Sequence, residues 1–158
     1  MVSDGWNMHH TKHKADKGLA RVIADVVDKG CIPCVPLSDH QPYDLVAVLV
    51  GGSVVKLQVK YASLKKNGTV DVKFRTSWAD KNGTHTRHYK KEDFDYYAIY
   101  CPEKNKVVYV PSGADCPKAI RFDRPANNQH KHVKWADAYL ELKGSSETIR
   151  RTPEMVKT

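Results

Sequence analysis

Apolar residues recur along this chain with two different periods. In residues 15–29, ADKGLARVIADVVDK, the positions Leu19, Val22, Ile23, Val26 and Val27 fall three and four apart and predict one helix with a single apolar stripe. Lys29 lies in its last turn and Gly30 follows at the C-cap position. CIPCVPL, 31–37, predicts a short strand broken by proline, and SDHQP a turn. The period then changes to two. PYDLVAVLVGGSVVKLQVK, 42–60, is a hairpin of two apolar runs around Gly51, Gly52 and Ser53. VDVKFRTSW, 70–78, alternates, with Lys73, Arg75 and Ser77 on one face and Val72, Phe74 and Thr76 on the other. A turn around Asn82 and Gly83 leads into a second basic strand, HTRHYK, 85–90. EDFDYYAIYCPE, 92–103, and KVVYVP, 106–111, predict buried strands, and 119–122 a further short one. VKWADAYLELK, 133–143, predicts a short helix with Val133, Ala136, Tyr139 and Leu140 on one face. Residues 1–13 read as a flexible arm and 144–158 as a polar tail. With no internal repeat and no linker, 1–158 is expected to form one domain.

The hairpin can be registered from its own pattern. A two-residue loop pairs Val50 with Ser53 and sets Asp44 opposite Val59. A three-residue loop pairs Val50 with Val54 and sets Leu45, Ala47 and Leu49 opposite Val59, Leu57 and Val55. One face is then wholly apolar. The other carries Asp44 opposite Lys60, Val46 opposite Gln58 and Val48 opposite Lys56. Residues directly opposite share a face, and a slip of one residue would mix the two sets. The three-residue register is therefore the expectation, and it gathers Asp44, Gln58 and Lys60 on one patch.

The 158 residues suffice for a domain with a sizeable core, and the formal net charge of +8 favours a polyanionic partner, of which nucleic acid is the commonest. The longest apolar run, 45–50, is too short to span a bilayer, and the opening residues hold no apolar signal segment. A cytoplasmic protein with no membrane partner is expected. The four cysteines, Cys31, Cys34, Cys101 and Cys116, are then expected as reduced thiols. The spacing of Cys31 and Cys34 also fits a zinc knuckle or redox pair. A zinc site would need further ligands, for which His9, His10 and His13 are the candidates.

The polar patch has a chemical logic. A hard divalent cation takes carboxylate, amide and carbonyl oxygens. It polarises a phosphate oxygen and lowers the pKa of a bound water. A lysine two residues from such a ligand lies on the same strand face, where it can stabilise charge on a phosphate in transit. One aspartate and one glutamine make a lean site, so a further carboxylate is sought. Asp16, at the start of the first helix, is the candidate. The bland reading of Asp16 is a favourable charge at a helix N-terminus; that of Asp44 is a strand-initiating turn residue, and that of Lys60 a solvated strand end.

Pro42-Tyr43-Asp44 followed by Gln58-Val59-Lys60 resembles the PD-(D/E)XK nuclease motif, with glutamine in the usual Asp/Glu place. Together with KGLARVIADVV, DYYAIYCPEKNKVVYVP and NNQHKHVKWADAYL, it is similar to the PD-(D/E)XK homing endonucleases encoded in group I introns, over residues 12–142. The resemblance implies an α/β fold with an αβββαβ core, a central mixed sheet flanked by helices. It implies Mg2+-dependent (or Mn2+-dependent) phosphodiester hydrolysis, a double-stranded DNA target and a homo-oligomer, a tetramer built as a dimer of dimers or a dimer. It implies Asp44 and Gln58 as metal ligands, the Val59 carbonyl as a third, Lys60 as the motif lysine and Asp16 as the helix-borne acid. Because a neutral amide binds Mg2+ more weakly than a carboxylate, Gln58 implies less metal-avid cleavage.

DNA would be held by the basic strand pair, a ribbon of the size that enters a major groove. Lys73, Arg75 and Ser77 share its outer face, and Lys81, Asn82, His85, Arg87 and His88 cluster around the turn. Arg75 and Arg87 are the candidates for guanine contacts. Lys65 and Lys66 suit phosphates, and Asn127, Asn128 and Gln129 form a second polar cluster. A Holliday-junction resolvase, a restriction-type enzyme and a non-catalytic DNA-binding module share these features and stand as alternatives.

Overall fold

The structure, a computed structural model, describes residues 10–126 and 131–144. The apolar stripe near the start of the chain forms α1 (His10–Asp28), with Val22 and Val26 fully buried. The helix begins five residues before the expected range, 15–29. Residues 10–13, expected in a loose arm, are helical, while 1–9 lie outside the described residues. Periodicity marks only the turns that pack on a core, and the first turns of α1 carry no apolar partner. Gly30, at φ 74, closes the helix by donating its N–H to the Val27 carbonyl.

Among the described residues nine strands follow: β1 (Ile32–Cys34), β2 (Leu45–Val48), β3 (Val54–Tyr61), β4 (Thr69–Asp71), β5 (Arg75–Asp80), β6 (Gly83–His88), β7 (Tyr96–Cys101), β8 (Lys106–Pro111) and β9 (Ala119–Arg121). Five of them form a central sheet in the order β1-β2-β3-β7-β8, with β3 and β7 parallel and the other neighbours antiparallel. β4 pairs with β9, and β5 with β6, in two separate ribbons. This is the expected mixed α/β sheet.

Several elements differ from the sequence expectation. The stretch 70–78 is not one strand. Val72 donates its N–H to the Lys118 carbonyl, and the chain passes there from the β4–β9 pair to the β5–β6 ribbon. The strand expected over 31–37 is only three residues long. The helix expected over 133–143 is a single 3-10 turn, Ala136–Tyr139. The Lys134 carbonyl accepts the Arg121 N–H and Trp135 bridges to Arg121, so the backbone before Ala136 is committed to β9 and cannot enter a helix. Among the described residues the sheet is therefore flanked by one α-helix. Its second face is covered by the β4–β9 pair and this turn.

The hairpin register is also corrected. Leu45 faces Leu57, Ala47 faces Val55 and Val48 faces Val54, so the connection is five residues, 49–53, not three. Leu49 donates to the Ser53 carbonyl and Gly52 to the Leu49 carbonyl, while Gly51 and Gly52 both take positive φ, at 97 and 92, which glycine adopts without strain. The slip is by two, so each residue keeps its face. Asp44, one residue before β2, is held by its N–H bond to the Leu57 carbonyl at 2.9 Å, and its side chain meets Gln58 instead of Lys60.

Leu45, Ala47, Val55 and Leu57 bury against α1 with Tyr100 and Tyr109. Each of these valine and leucine side chains contributes roughly 1.5–3 kcal/mol by burial. The Tyr109 hydroxyl donates to Asp25 Oδ2 at 2.6 Å and pins the second half of α1 to β8. Nearer its start, Gly18 lies against Tyr61, where an added Cβ would meet Tyr61 Cβ at 3.4 Å. That close approach brings the N-terminal half of α1 down onto the end of β3. On the other face, Phe94, Tyr97, Ile99, Val108 and Val110 pack beneath Val70, Val72 and Ile120. No described helix is long and apolar enough to cross a membrane.

Candidate active site

β2 leaves the sheet before β3 ends. The last backbone bond between them is Asp44 N–H to the Leu57 carbonyl. Two residues on, the Val59 N–H and carbonyl point to the same edge of β3, where no strand faces them. The Asp44 side chain fills the gap: its Oδ2 accepts the Val59 N–H at 2.8 Å and the Gln58 Nε2 at 2.6 Å. Gln58 is 8 % exposed and its amide is committed to this bond. Lys60 follows on the same strand face. A cleft of about 580 Å³ wraps this open edge and is lined by Asp44, Gln58, Val59 and Lys60, with Asp16, Lys14 and Thr11 from α1 and Thr76 from β5. All five residues expected at a catalytic centre thus line one cleft.

Asp16 is exposed, and it is the seventh residue of α1. A helix terminus acts on charges within its first turn. The dipole explanation of Asp16 therefore fails, and its place on the cleft wall is left. Asp44 is open to the cleft yet crowded by protein, and this desolvation pushes its pKa up; the bond from Val59 and the charge of Lys60 act in the opposite direction.

The donor set fits a hard divalent cation. Asp44 offers Oδ1, which no donor among the described residues claims, the Val59 carbonyl faces the open edge, and a half-turn of the Gln58 amide would present its oxygen. No group of three or more His, Cys, Asp or Glu suited to a metal occurs among the described residues. Cys31 and Cys34 follow the C-terminus of α1, whereas His10 and His13 lie at its other end, roughly 20 Å away at 1.5 Å per residue, so these four do not meet; His9 lies outside the described residues.

A profile of the PD-(D/E)XK endonuclease family matches residues 9–142, most of the chain. The chain belongs to the PD-(D/E)XK endonuclease family. Among solved structures it is similar to a bacterial homing endonuclease, I-Ssp6803I, with 24% sequence identity, a TM-score of 0.61, and coverage of 82% of this chain and 88% of that one. A search of the curated proteins finds no significant match. Nucleases of this family generally use divalent metals, in keeping with the oxygen donors at the cleft.

The remaining candidate residues of this endonuclease surround the cleft unevenly. Arg75 pairs with His88 and Ser77 with Thr86, which sets Arg75, Ser77 and His88 on one face of the β5–β6 ribbon. Thr76 pairs with Arg87 and Trp78 with His85 on the other, the face that turns Thr76 into the cleft. The two arginines expected to read guanines together thus point to opposite sides. Arg87 also approaches the buried Asp93 at 3.5 Å. Lys81 and Asn82 form the two-residue turn, with Asp80 Oδ1 accepting the Asn82 N–H and meeting His85 Nε2 at 3.0 Å. Lys65 is paired with Asp71 at 2.6 Å and lines, with Lys73, Lys14 and Lys60, a second cavity of about 360 Å³. Lys66 lies farther round, on a groove with Arg121 and Arg124. Asn127, Asn128 and Gln129 fall outside the described residues.

Sequence reading missed three residues here. Lys14 lines both cavities and was hidden by the late start predicted for α1. Trp78, half exposed and stacked on His85 at 5.4 Å, offers an aromatic face near the ribbon tip. Tyr89 contacts Lys60, a long-range meeting with no sequence signal.

Proposed function

We propose that this chain is a site-specific double-strand DNA endonuclease of the homing type, working with Mg2+ or Mn2+. The observation that carries the proposal is the meeting of Asp44, Gln58, Lys60 and the Val59 carbonyl at the open edge of β3, with Asp16 on the wall of the same cleft.

In this reading Asp44, Gln58 and the Val59 carbonyl hold the cation. The chemistry a divalent cation supplies there is polarisation of a phosphate and a lowered pKa for an attendant water. Asp44 is kept in place for that role by the Val59 N–H, and Gln58 exchanges its Nε2 bond to Asp44 for the cation when its amide turns. Lys60 directs its ammonium at the scissile phosphate and stabilises the negative charge that grows on its oxygens. Asp16 accepts a hydrogen bond from the attacking water and orients it. Lys14, Lys65 and Lys73 hold a neighbouring phosphate of the same strand in the second cavity. Arg75, Ser77 and His88 on one ribbon face, with Lys81 and Asn82 at its turn, meet the groove.

One cleft cuts one strand, and the strands of a duplex run antiparallel. A double-strand break therefore calls for two copies related by a two-fold axis, as a dimer or a dimer of dimers. Ile32, Val48 and Val54 support this. They form one row across β1, β2 and β3 on the face away from α1, beyond the cover of the β4–β9 pair, with Ile32 62% and Val54 50% exposed.

The test is incubation with Mg2+ and DNA spanning the uninterrupted junction at which the intron carrying the gene would insert. Specific double-strand breaks at that junction are expected, lost in Asp44→Ala and slowed by orders of magnitude, with a measurable residual rate, in Lys60→Ala. Cleavage confined to four-way junctions would replace the reading with a resolvase, and binding without cleavage would replace it with a DNA-binding module.

A further inference from the structure

Lys60 makes no ion pair among the described residues. Its ammonium instead bonds to the Tyr89 hydroxyl at 2.9 Å and lies 4.9 Å from the centroid of that ring, within cation–π range. A carboxylate partner would hold a lysine but would cancel the charge it brings to a phosphate. A neutral phenol holds it and leaves the charge intact. It occupies one of three N–H donors and leaves two for an incoming anion.

The mount itself is rigid. The Tyr89 ring meets Phe94 edge-on at 5.1 Å and Tyr97 at 6.0 Å, and both of those side chains are almost wholly buried. The Tyr89 N–H bonds to the Phe74 carbonyl at 3.0 Å and closes the base of the β5–β6 ribbon. Tyr89 thus belongs to the ribbon, two residues from Arg87 on the same face, and touches the lysine on β3. Among the described residues, this is the one side-chain hydrogen bond from the ribbon to the cleft residues.

We propose that Tyr89 is a positioning residue for Lys60: it restrains a four-rotor side chain toward the phosphate and ties its position to the ribbon that grips DNA. A free lysine would spread over many rotamers and lose the orientation on which transition-state stabilisation depends. The inference rests on the reading of Lys60 as the residue that acts on the phosphate, and the experiment separates the two.

The experiment is a double-mutant cycle on single-turnover DNA cleavage, with DNA affinity and Tm measured in parallel. Tyr89→Phe keeps the ring and its packing on Phe94 and Tyr97 but removes the hydroxyl. The expected result is about a tenfold slower cleavage step, the scale of one lost orienting hydrogen bond, with affinity and Tm unchanged. In a Lys60→Ala background the same substitution should have no effect, because nothing is left to position. Wild-type cleavage by Tyr89→Phe would overturn the inference. So would an equal slowing in the Lys60→Ala background, which would mark Tyr89 as merely structural. Wild-type cleavage by Lys60→Ala itself would overturn the catalytic reading and the inference with it. Should Tyr89→Phe lower the Tm, the 15N ammonium signal of Lys60 in DNA-free protein decides: a shift from the wild-type position supports the contact, and an unmoved signal overturns it.

Discussion

The Gln58 side chain donates its Nε2 to Asp44 Oδ2 across 2.6 Å. Without a cation, the amide satisfies the carboxylate that a second acid would repel. A glutamine at this point therefore stabilises the metal-free fold and, in the proposed reading, would weaken the hold on a cation.

Gln58→Glu should reverse both effects. Two crowded carboxylates in contact repel each other. In chelator, the variant should unfold about 2–5 °C below the wild type, corresponding to roughly 1–2 kcal/mol. Added Mg2+ should raise its Tm by more than it raises that of the wild type. Thermal melts with and without Mg2+ check this, and equal metal-induced shifts would count against Gln58 as a ligand position.

Asp44→Asn should separate stability from activity. Burial raises the Asp44 pKa above its usual 3.8. The native state therefore keeps this proton to higher pH than the unfolded chain does. Its contribution to stability is greatest below the unfolded pKa and falls as pH rises through the folded one. Asparagine removes that fall. In urea unfolding without divalent cations, the variant should gain on the wild type from pH 4 toward pH 7. The gain should stay under about 1 kcal/mol because the cleft leaves the carboxylate partly hydrated. Cleavage should be lost throughout.

Arg75 and Arg87, on opposite faces of the ribbon, should behave differently. Arg75→Ala should cost about 1–3 kcal/mol of discrimination at one base pair and leave Tm unchanged. Arg87→Ala should also release the buried Asp93, lowering stability by about 0.5–1 kcal/mol, since the arginine is itself half exposed. Binding to a panel of single-base variants, together with melts, tells the two apart. Identical behaviour would contradict the two-faced ribbon.

The thiols should react in order of exposure and acidity. Cys34 is exposed, whereas burial pushes Cys116 up to about 11 and also raises Cys101. At pH 8 only about one Cys116 in a thousand is thiolate, and its labelling should quicken about tenfold per pH unit up to pH 10. Mass-resolved alkylation should find Cys34 modified first. Early modification of Cys116 would mean that the face closed by β9 opens in solution.

Charging the apolar row should dissociate the proposed oligomer. Ile32→Lys with Val54→Lys should leave the fold intact, since both side chains are exposed, and shift sedimentation toward the monomer. Double-strand cleavage should then give way to nicking. An unchanged sedimentation coefficient would place the interface elsewhere.

Local patterning carried much of this fold. The apolar stripe of α1, the alternation in β2 and β3, and the runs of β7 and β8 could be read directly, because each element must present one face, or both, to a core. The sharing of a face by Asp44, Gln58 and Lys60 was legible for the same reason: side chains alternate with a period of two, and an error of two residues in register leaves faces unchanged. That same symmetry hid the true partner of Asp44, since the pattern cannot distinguish registers that differ by two. It was the five-residue connection at 49–53 that set Asp44 against Gln58.

Other features depended on contacts between distant segments. The 133–143 stretch has a helical pattern, but its backbone is claimed by Arg121, and hydrogen bonds already made to another strand override local preference. The arrival of Asp16 at the cleft depends on the close approach of Gly18 to Tyr61, and the hold on Lys60 depends on Tyr89, which is 29 residues away along the chain. By itself the sequence determined which residues share a face, because that is a property of one strand. Only the tertiary structure decided which residues touch, because the packing of separate elements sets those distances.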